Sequence, residues 1–301
     1  MECIKEELDL FQAPIYQRMI KKSFIHEYDP TSQGSGVYTF TLPGVDNTYI
    51  DPSYVYYKVT GLITNANGQP ITDEKEIAPV NYFGHALFKH IQIELASKIV
   101  QSGTLHYGYR SYIETLLNYG EDSKQSVLQT QIFHKDDAGA FDVTKLKRTN
   151  DQPVLLNNGF LQRAKIGRKK IECFCKLHAD IFFQPKPLPN NMNMNIVFTL
   201  NTPEFYLIGS ENGAKFVIND IKLYIRRLTL SSDVMNGHIA AWQSGANAIY
   251  PIKRIALKMN NIPQGTTSAS YSLVTAGVLP IRMVVGLNLN ENMTGKLTTL
   301  N

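Results

Sequence analysis

Apolar and polar residues alternate with a period of two along most of the chain, the pattern of strands that bury one face. Tyr38, Phe40 and Leu42 alternate with Thr39 and Thr41, and Val55, Tyr57 and Val59 alternate with Tyr56, Lys58 and Thr60. The stretch between them, PGVDNTYIDPS, is rich in Pro, Gly, Asn and Asp and demands a turn. Ile91, Ile93 and Leu95 form a third strand. The longest alternation runs from Ile171 to Phe183: Ile171, Cys173, Cys175, Leu177, Ala179, Ile181 and Phe183 share one face, with Glu172, Lys176, His178 and Asp180 on the other. PKPLPNN then breaks the chain, and Met192, Met194, Ile196, Phe198 and Leu200 form the next apolar face. In the strand of Ile221, Leu223 and Ile225 the phase changes at Arg226 and Arg227 before Leu228 and Leu230 resume it, which predicts a β-bulge.

One segment departs from this period. In YRSYIETLLNYG, Tyr112, Thr115, Leu116 and Tyr119 fall on one helical face, and Gly120 sits where a helix ends. SVLQ, a little further on, begins a second turn of helix. The residues before the first strand, with EELDL and IYQRMIKK, read as a short helix or an arm. The chain is thus expected to be all-β, with an N-terminal arm over 1–22 and a β-sandwich over 23–232 that carries a helical insertion near 107–132. A linker over 233–250 contains NGHIAAWQSGANAIYP. From 251 to 301 a second sandwich begins, in which Ile255, Leu257 and Met259, then Met283, Val285 and Leu287, resume the alternation. This last part is shorter than the roughly 100 residues of an ordinary sandwich, so the second sandwich is expected to be incomplete.

Composition supports the β reading. The 301 residues are 43% hydrophobic, enough for a large core, and the aromatic residues are mostly 16 Tyr and 14 Phe, which favour pleated surfaces. A net charge of +4 decides little by itself. No stretch approaches the ~18 apolar residues of a membrane helix, and MECIKEELDLF is too acidic for a signal peptide, so a soluble protein made in the cytosol is expected. Three cysteines, Cys3, Cys173 and Cys175, make no disulfide framework and fit a reducing compartment.

Candidate chemistry is sparse. Cys173 and Cys175 point one way and His178 the other, so a tetrahedral zinc site lacks ligands, and two thiols packed as small apolar groups is the better reading. His85, His90 and His106 lie near Glu94 without an HExxH spacing and read as loop and strand-surface residues. GxSxG, GxxxxGK[ST] and GxGxxG do not occur in the sequence. No catalytic, cofactor-binding or metal residue is assigned, and the chain is not expected to be an enzyme or to need a cofactor. One basic run, LQRAKIGRKK, gathers Arg163, Lys165, Arg168, Lys169 and Lys170. It can track phosphates but lacks interleaved aromatics for base stacking; a solvated turn or an interface with an acidic neighbour competes with that reading.

PVNYFGHALFKHIQIEL, then YGYRSYIETLLNYGEDSKQSVLQTQIFHKDDAG, then YPIKRIALKMNNIPQGTTSASYSLVTAGVLPIRMVVGL, resemble in order the hallmark segments of the major capsid proteins of Polinton (Maverick) elements and adintoviruses. The resemblance spans about residues 45 to 290. It implies a double jelly roll of the adenovirus-hexon type: a first jelly roll over 23–232 and the start of a second, incomplete one. It further implies homotrimeric capsomers, a penton protein as partner, and a place in the virion capsid after synthesis in the cytoplasm, with assembly in the nucleus as an option and no membrane partner. Structural or subunit-interface roles then fall to Tyr109, Arg110, Tyr112, Glu114 and Tyr119. Arg110 and Glu114 stand i, i+4, spaced to pair or to meet a neighbouring subunit, while Tyr112, Leu116 and Tyr119 are expected to cap the core. Contact with packaged DNA stays open as one reading of the basic run. The alternative is a domesticated or fragmentary jelly-roll binding module that does not assemble.

Overall fold

The computed structural model of the chain describes residues 19–45, 47–72, 75–101, 106–147, 156–189, 191–209, 213–271 and 279–287. Eight strands form the body of the two main sheets: β1 (Ile20–Tyr28), β2 (Val37–Leu42), β3 (Tyr49–Thr64), β4 (Phe88–Leu95), β5 (Lys98–Gln101), β6 (Ile171–Lys176), β7 (Met194–Leu200) and β8 (Lys215–Leu230). All pairings are antiparallel: β1 with β8, β2 with β7, β3 with β6 and β4 with β5. Lateral pairings of β8 with β3 and β7 with β4 give the orders β1-β8-β3-β6 and β2-β7-β4-β5, and the short strands Leu188–Pro189 on β3 and Ser32–Gly34 on β2 make each sheet five-stranded. The first strand pairs with the last and the second with the last but one. The chain is a long hairpin folded over itself, and that order is the jelly roll.

The core lies between the sheets because each strand buries alternate residues. Val55, Tyr57 and Val59 of β3 face Ile91 and Ile93 of β4 and Ile196 and Phe198 of β7 in one continuous cluster. At its centre the rings of Phe40, Tyr57, Phe88 and Phe198 meet edge to face, with centroids 5.0 to 5.6 Å apart.

The β-bulge expected at Arg226 is present, but the extra residues sit on the partner strand. Ile225 pairs with Val55 and Arg226 with Asp51, so Pro52, Ser53 and Tyr54 of β3 bulge out. Proline has no N–H to give the ladder, and the Asp51 carboxylate takes over by accepting from the Ser53 N–H at 2.9 Å. The long alternation from Ile171 is also cut short. β6 ends at Lys176, and a 3-10 turn at Asp180–Phe182 changes the phase, leaving Phe183 exposed and His178 buried.

Three helices matter for the site: α1 (Tyr107–Asn118), α2 (Asn158–Gly167) and α3 (Ser232–Gln243). α3 occupies the stretch expected to be a loop-like linker over 233–250. Its Val234 and Met235 pack on Tyr49, Leu228 and Leu230, which gives this segment an apolar support that its Asn and Gly content hides. The expected arm over 1–22 is corrected at its end, because Ile20 is already in β1 opposite Leu230; residues 1–18 lie outside the described residues. The second sandwich expected over 251–301 falls partly outside the described residues. Residues 251–271 and 279–287 contain no strand, and Met283, Val285 and Leu287 are exposed, since alternation yields a strand only where another strand offers hydrogen bonds.

Candidate functional site

The polar residues of the fold converge beneath α1. Tyr107, Arg110, Ser111, Glu114 and Thr115 form its buried face, one step round from the apolar stripe read from the sequence. Leu116 is exposed, and Tyr119 follows the helix and is half-buried beside Tyr82, Leu128 and Phe133. The face is polar because the segment after β6 meets it with His178 and Asp180. Arg110 donates through Nε to the Glu114 Oε1 at 3.2 Å and also pairs with the Asp180 carboxylate. Glu114 accepts from His178 Nδ1 at 2.5 Å. Burial opposes the Glu114 charge, yet the His178 and Arg110 contacts hold its pKa below the ordinary glutamate value. At Asp180 burial prevails over Arg110 and raises the pKa.

Hydrogen bonding assigns the protons across this seam. His178 gives its Nδ1 proton to Glu114, so its Nε2 accepts from the Tyr82 hydroxyl at 3.2 Å, and Tyr82 in turn shares 2.8 Å with the Thr115 hydroxyl. His85 donates from Nε2 to Gln131 Oε1 at 2.8 Å, so its Nδ1 accepts from Tyr107 at 3.0 Å. The Tyr107 hydroxyl receives the backbone N–H of His178 at 3.1 Å, and Tyr57 donates to the carbonyl of Gly84 at 3.0 Å. These assignments are those of neutral imidazoles, the form that burial favours. Burial lowers both their pKa values, at His85 with repulsion from His178 added. Burial also raises the phenol pKa values of Tyr57, Tyr82 and Tyr107, which keeps them as donors. Tyr82 holds this position from a left-handed backbone (φ 62°), a conformation that costs a non-glycine residue about 1 kcal/mol.

These contacts revise the roles expected from the sequence. Arg110 and Glu114 pair as i, i+4 spacing allows, but at 2% and 6% exposure they lie inside the subunit and are not available to a neighbour. Tyr109 is half-buried against Phe205, at 5.3 Å between centroids, and Tyr112 stacks on Phe133. His85 is fully buried, not at a surface; His90 and His106 are half-buried. Cys173 and Cys175 are buried thiols whose pKa values burial raises. Among the described residues no group of three His, Cys, Asp or Glu is arranged to hold a metal, and no helix is long and apolar enough to cross a membrane.

The basic run divides. Arg163 is fully buried: it donates to the carbonyl of Pro79 at 2.9 Å and to the Asp136 carboxylate at 2.7 Å, and it also bonds the His134 carbonyl. A phosphate cannot reach it, because the loop at 134–140 folds back over α2 and needs a cation to satisfy its carbonyl and carboxylate. Asn157 caps α2 by accepting from the Phe160 N–H. Lys165, Lys169 and Lys170 are exposed and Arg168 is half-buried.

The short helix Phe83–Ala86 supports the seam from below, and Gly84 there admits no side chain. A Cβ would stand 2.2 Å from the Cys175 sulfur. Gly84→Ala is expected to lower stability by about 1–3 kcal/mol in urea unfolding, through displacement of β6. An apolar cleft of about 510 Å³ lies between the sheet ends and α3, lined by Ile50, Leu95, Ile181, Trp242 and Tyr250 among others.

The fold and its interior thus define a jelly-roll β-sandwich whose polar cluster braces an inserted helix. No protein-family model matches the chain. It is 25% identical over 278 residues to an uncharacterized protein of Caenorhabditis elegans, an alignment that covers 89% of this chain and 62% of that protein. The chain thus spans less than two thirds of that relative's length. Among solved structures it is similar to a chain of the Sputnik virophage, with a TM-score of 0.50 at 12% identity over 77% of this chain and 53% of that one. A likeness at that identity carries the fold. The Faustovirus major capsid protein gives 0.46 at 9% identity over 77% and 58%, and the mavirus major capsid protein 0.37 at 12% over 76% and 51%.

Proposed function

We propose that the chain is a shell-building protein of the major capsid type, of the Polinton, Maverick and adintovirus lineage, and that it works by assembling into homotrimeric, hexon-like capsomers. The observation that supports this reading is the strand order β1-β8-β3-β6 over β2-β7-β4-β5, shared as a fold with the Sputnik chain. A seam whose buried polar groups are spent on one another serves rigidity, which suits a building block. In this reading the partners are sister copies, a penton protein and packaged DNA. The site of action is the virion, after synthesis in the host cytoplasm and assembly in the nucleus.

Light scattering on the purified protein tests the reading. The expected mass is three times 33.9 kDa, about 100 kDa, or larger. A monomer at every accessible concentration contradicts it and favours a jelly-roll binding module.

A further inference from the structure

Six cations gather around α2 and the loop that follows it. Leu146 packs in the same small cluster as Phe160 and Ala164 of α2, so the lysines on either side of it, Lys145 and Lys147, sit next to that helix. They join Lys165, Arg168, Lys169 and Lys170, which the sequence already places together. Lys145, Lys147, Lys165, Lys169 and Lys170 are exposed. Of the carboxylates nearby, Glu76 is engaged by Lys145 at 3.1 Å, Glu172 by Lys58 at 2.7 Å and Asp136 by the buried Arg163 at 2.7 Å.

A bland account exists for part of it. Cations in the last turn of a helix offset the negative end of its dipole, an effect that fades within about one turn and so covers Lys165 and little more. It does not account for Lys145 and Lys147, which reach the region from a separate loop. Lys147, Lys165, Lys169 and Lys170 have no acidic partner among the described residues. By contrast, Lys222 and Arg226 on the outer face of β8 are matched by Glu27 and Asp51.

We infer that Lys145, Lys147, Lys165, Lys169 and Lys170 form a contact surface for the phosphate backbone of duplex nucleic acid. The chemistry selects this partner. The basic residues named carry no aromatic ring among them on which a base can stack, so a single strand gains nothing beyond its charge, whereas regularly spaced phosphates suit a run of flexible ammonium groups. Binding is then independent of sequence and steep in salt. The inference rests on the proposed reading for its partner and adds the residues that meet it.

The test is fluorescence anisotropy of a mixed-sequence DNA duplex of roughly 30 base pairs, titrated with the full chain at a series of KCl concentrations. Lys165→Gln/Lys169→Gln/Lys170→Gln is expected to lower the slope of log affinity against log salt by about 2.7, since each lysine released from a phosphate removes about 0.9. The Arg triple at the same positions is expected to keep the wild-type slope. A triple replacement of Lys21, Lys89 and Lys98 by Gln is expected to keep it too. The inference is overturned if the wild-type chain fails to bind duplex at low salt, if the Gln triple keeps the wild-type slope, or if the control triple loses as much. Displacement of the duplex by poly-glutamate at equal charge overturns it as well, in favour of an acidic protein partner. Thermal melting of each variant checks folding. The light-scattering mass of the same samples reports assembly separately, so failure of the one reading is not failure of the other.

Discussion

Arg110→Ala is expected to cost about 3–5 kcal/mol of folding stability, the largest loss from any single side chain of the seam. Arg110 is the one cation between the carboxylates of Glu114 and Asp180, and it is almost fully buried. Its removal leaves two acids facing each other in a medium that solvates them poorly. A buried ion pair is not strongly stabilising relative to an apolar replacement, but breaking it from one side is costly. Urea unfolding should show a lower midpoint with an unchanged slope. Arg110→Ala combined with Glu114→Ala should cost less than the two changes summed, because the second removes a charge that the first orphaned. A loss below about 1 kcal/mol for Arg110→Ala means that the seam does not brace the fold.

Acid is expected to destabilise the protein steeply below about pH 6.5. His85 and His178 are fully buried and neutral, and burial lowers their pKa values in the folded chain. The unfolded chain therefore binds protons that the folded chain refuses, and stability falls as pH falls, by up to about 1.4 kcal/mol per pH unit for each histidine. The full contribution is present above the unfolded histidine pKa and is lost as pH drops below it. Glu114, whose pKa is lowered, adds to the loss once pH enters the carboxylate range; Asp180, whose pKa is raised, opposes it there. Two-state urea titrations at pH 7.5, 6.0 and 5.0 measure the slope, and His85→Gln should flatten it. A stability that stays level from pH 7.5 to 5.0 contradicts the proton assignment.

The strands were the legible part of this sequence. Alternation at Tyr38–Leu42, Val55–Thr60 and Ile221–Ile225 marks residues that the structure pairs, because one-sided burial imposes a period of two. What remained hidden is what depends on distant partners. The inward face of α1 is polar only because His178 and Asp180 arrive from 64 to 70 residues away, and no local pattern encodes that. Arg163 looks like its neighbours in LQRAKIGRKK, and only the fold of the loop at 134–140 turns it inward. A faint signal did exist: Arg110, Glu114 and Thr115 together make one side of the helix too polar for an ordinary core and too regular for solvent. β1 was missed as well, since its residues are mostly exposed and their pairing with β8 leaves no periodic trace.

Electron microscopy of the purified, concentrated protein tests the central claim most directly. Classes with three-fold symmetry, each subunit showing the two facing sheets, are the predicted result. A uniform field of single sandwiches, with no higher species under any solvent condition that preserves the fold, would contradict it.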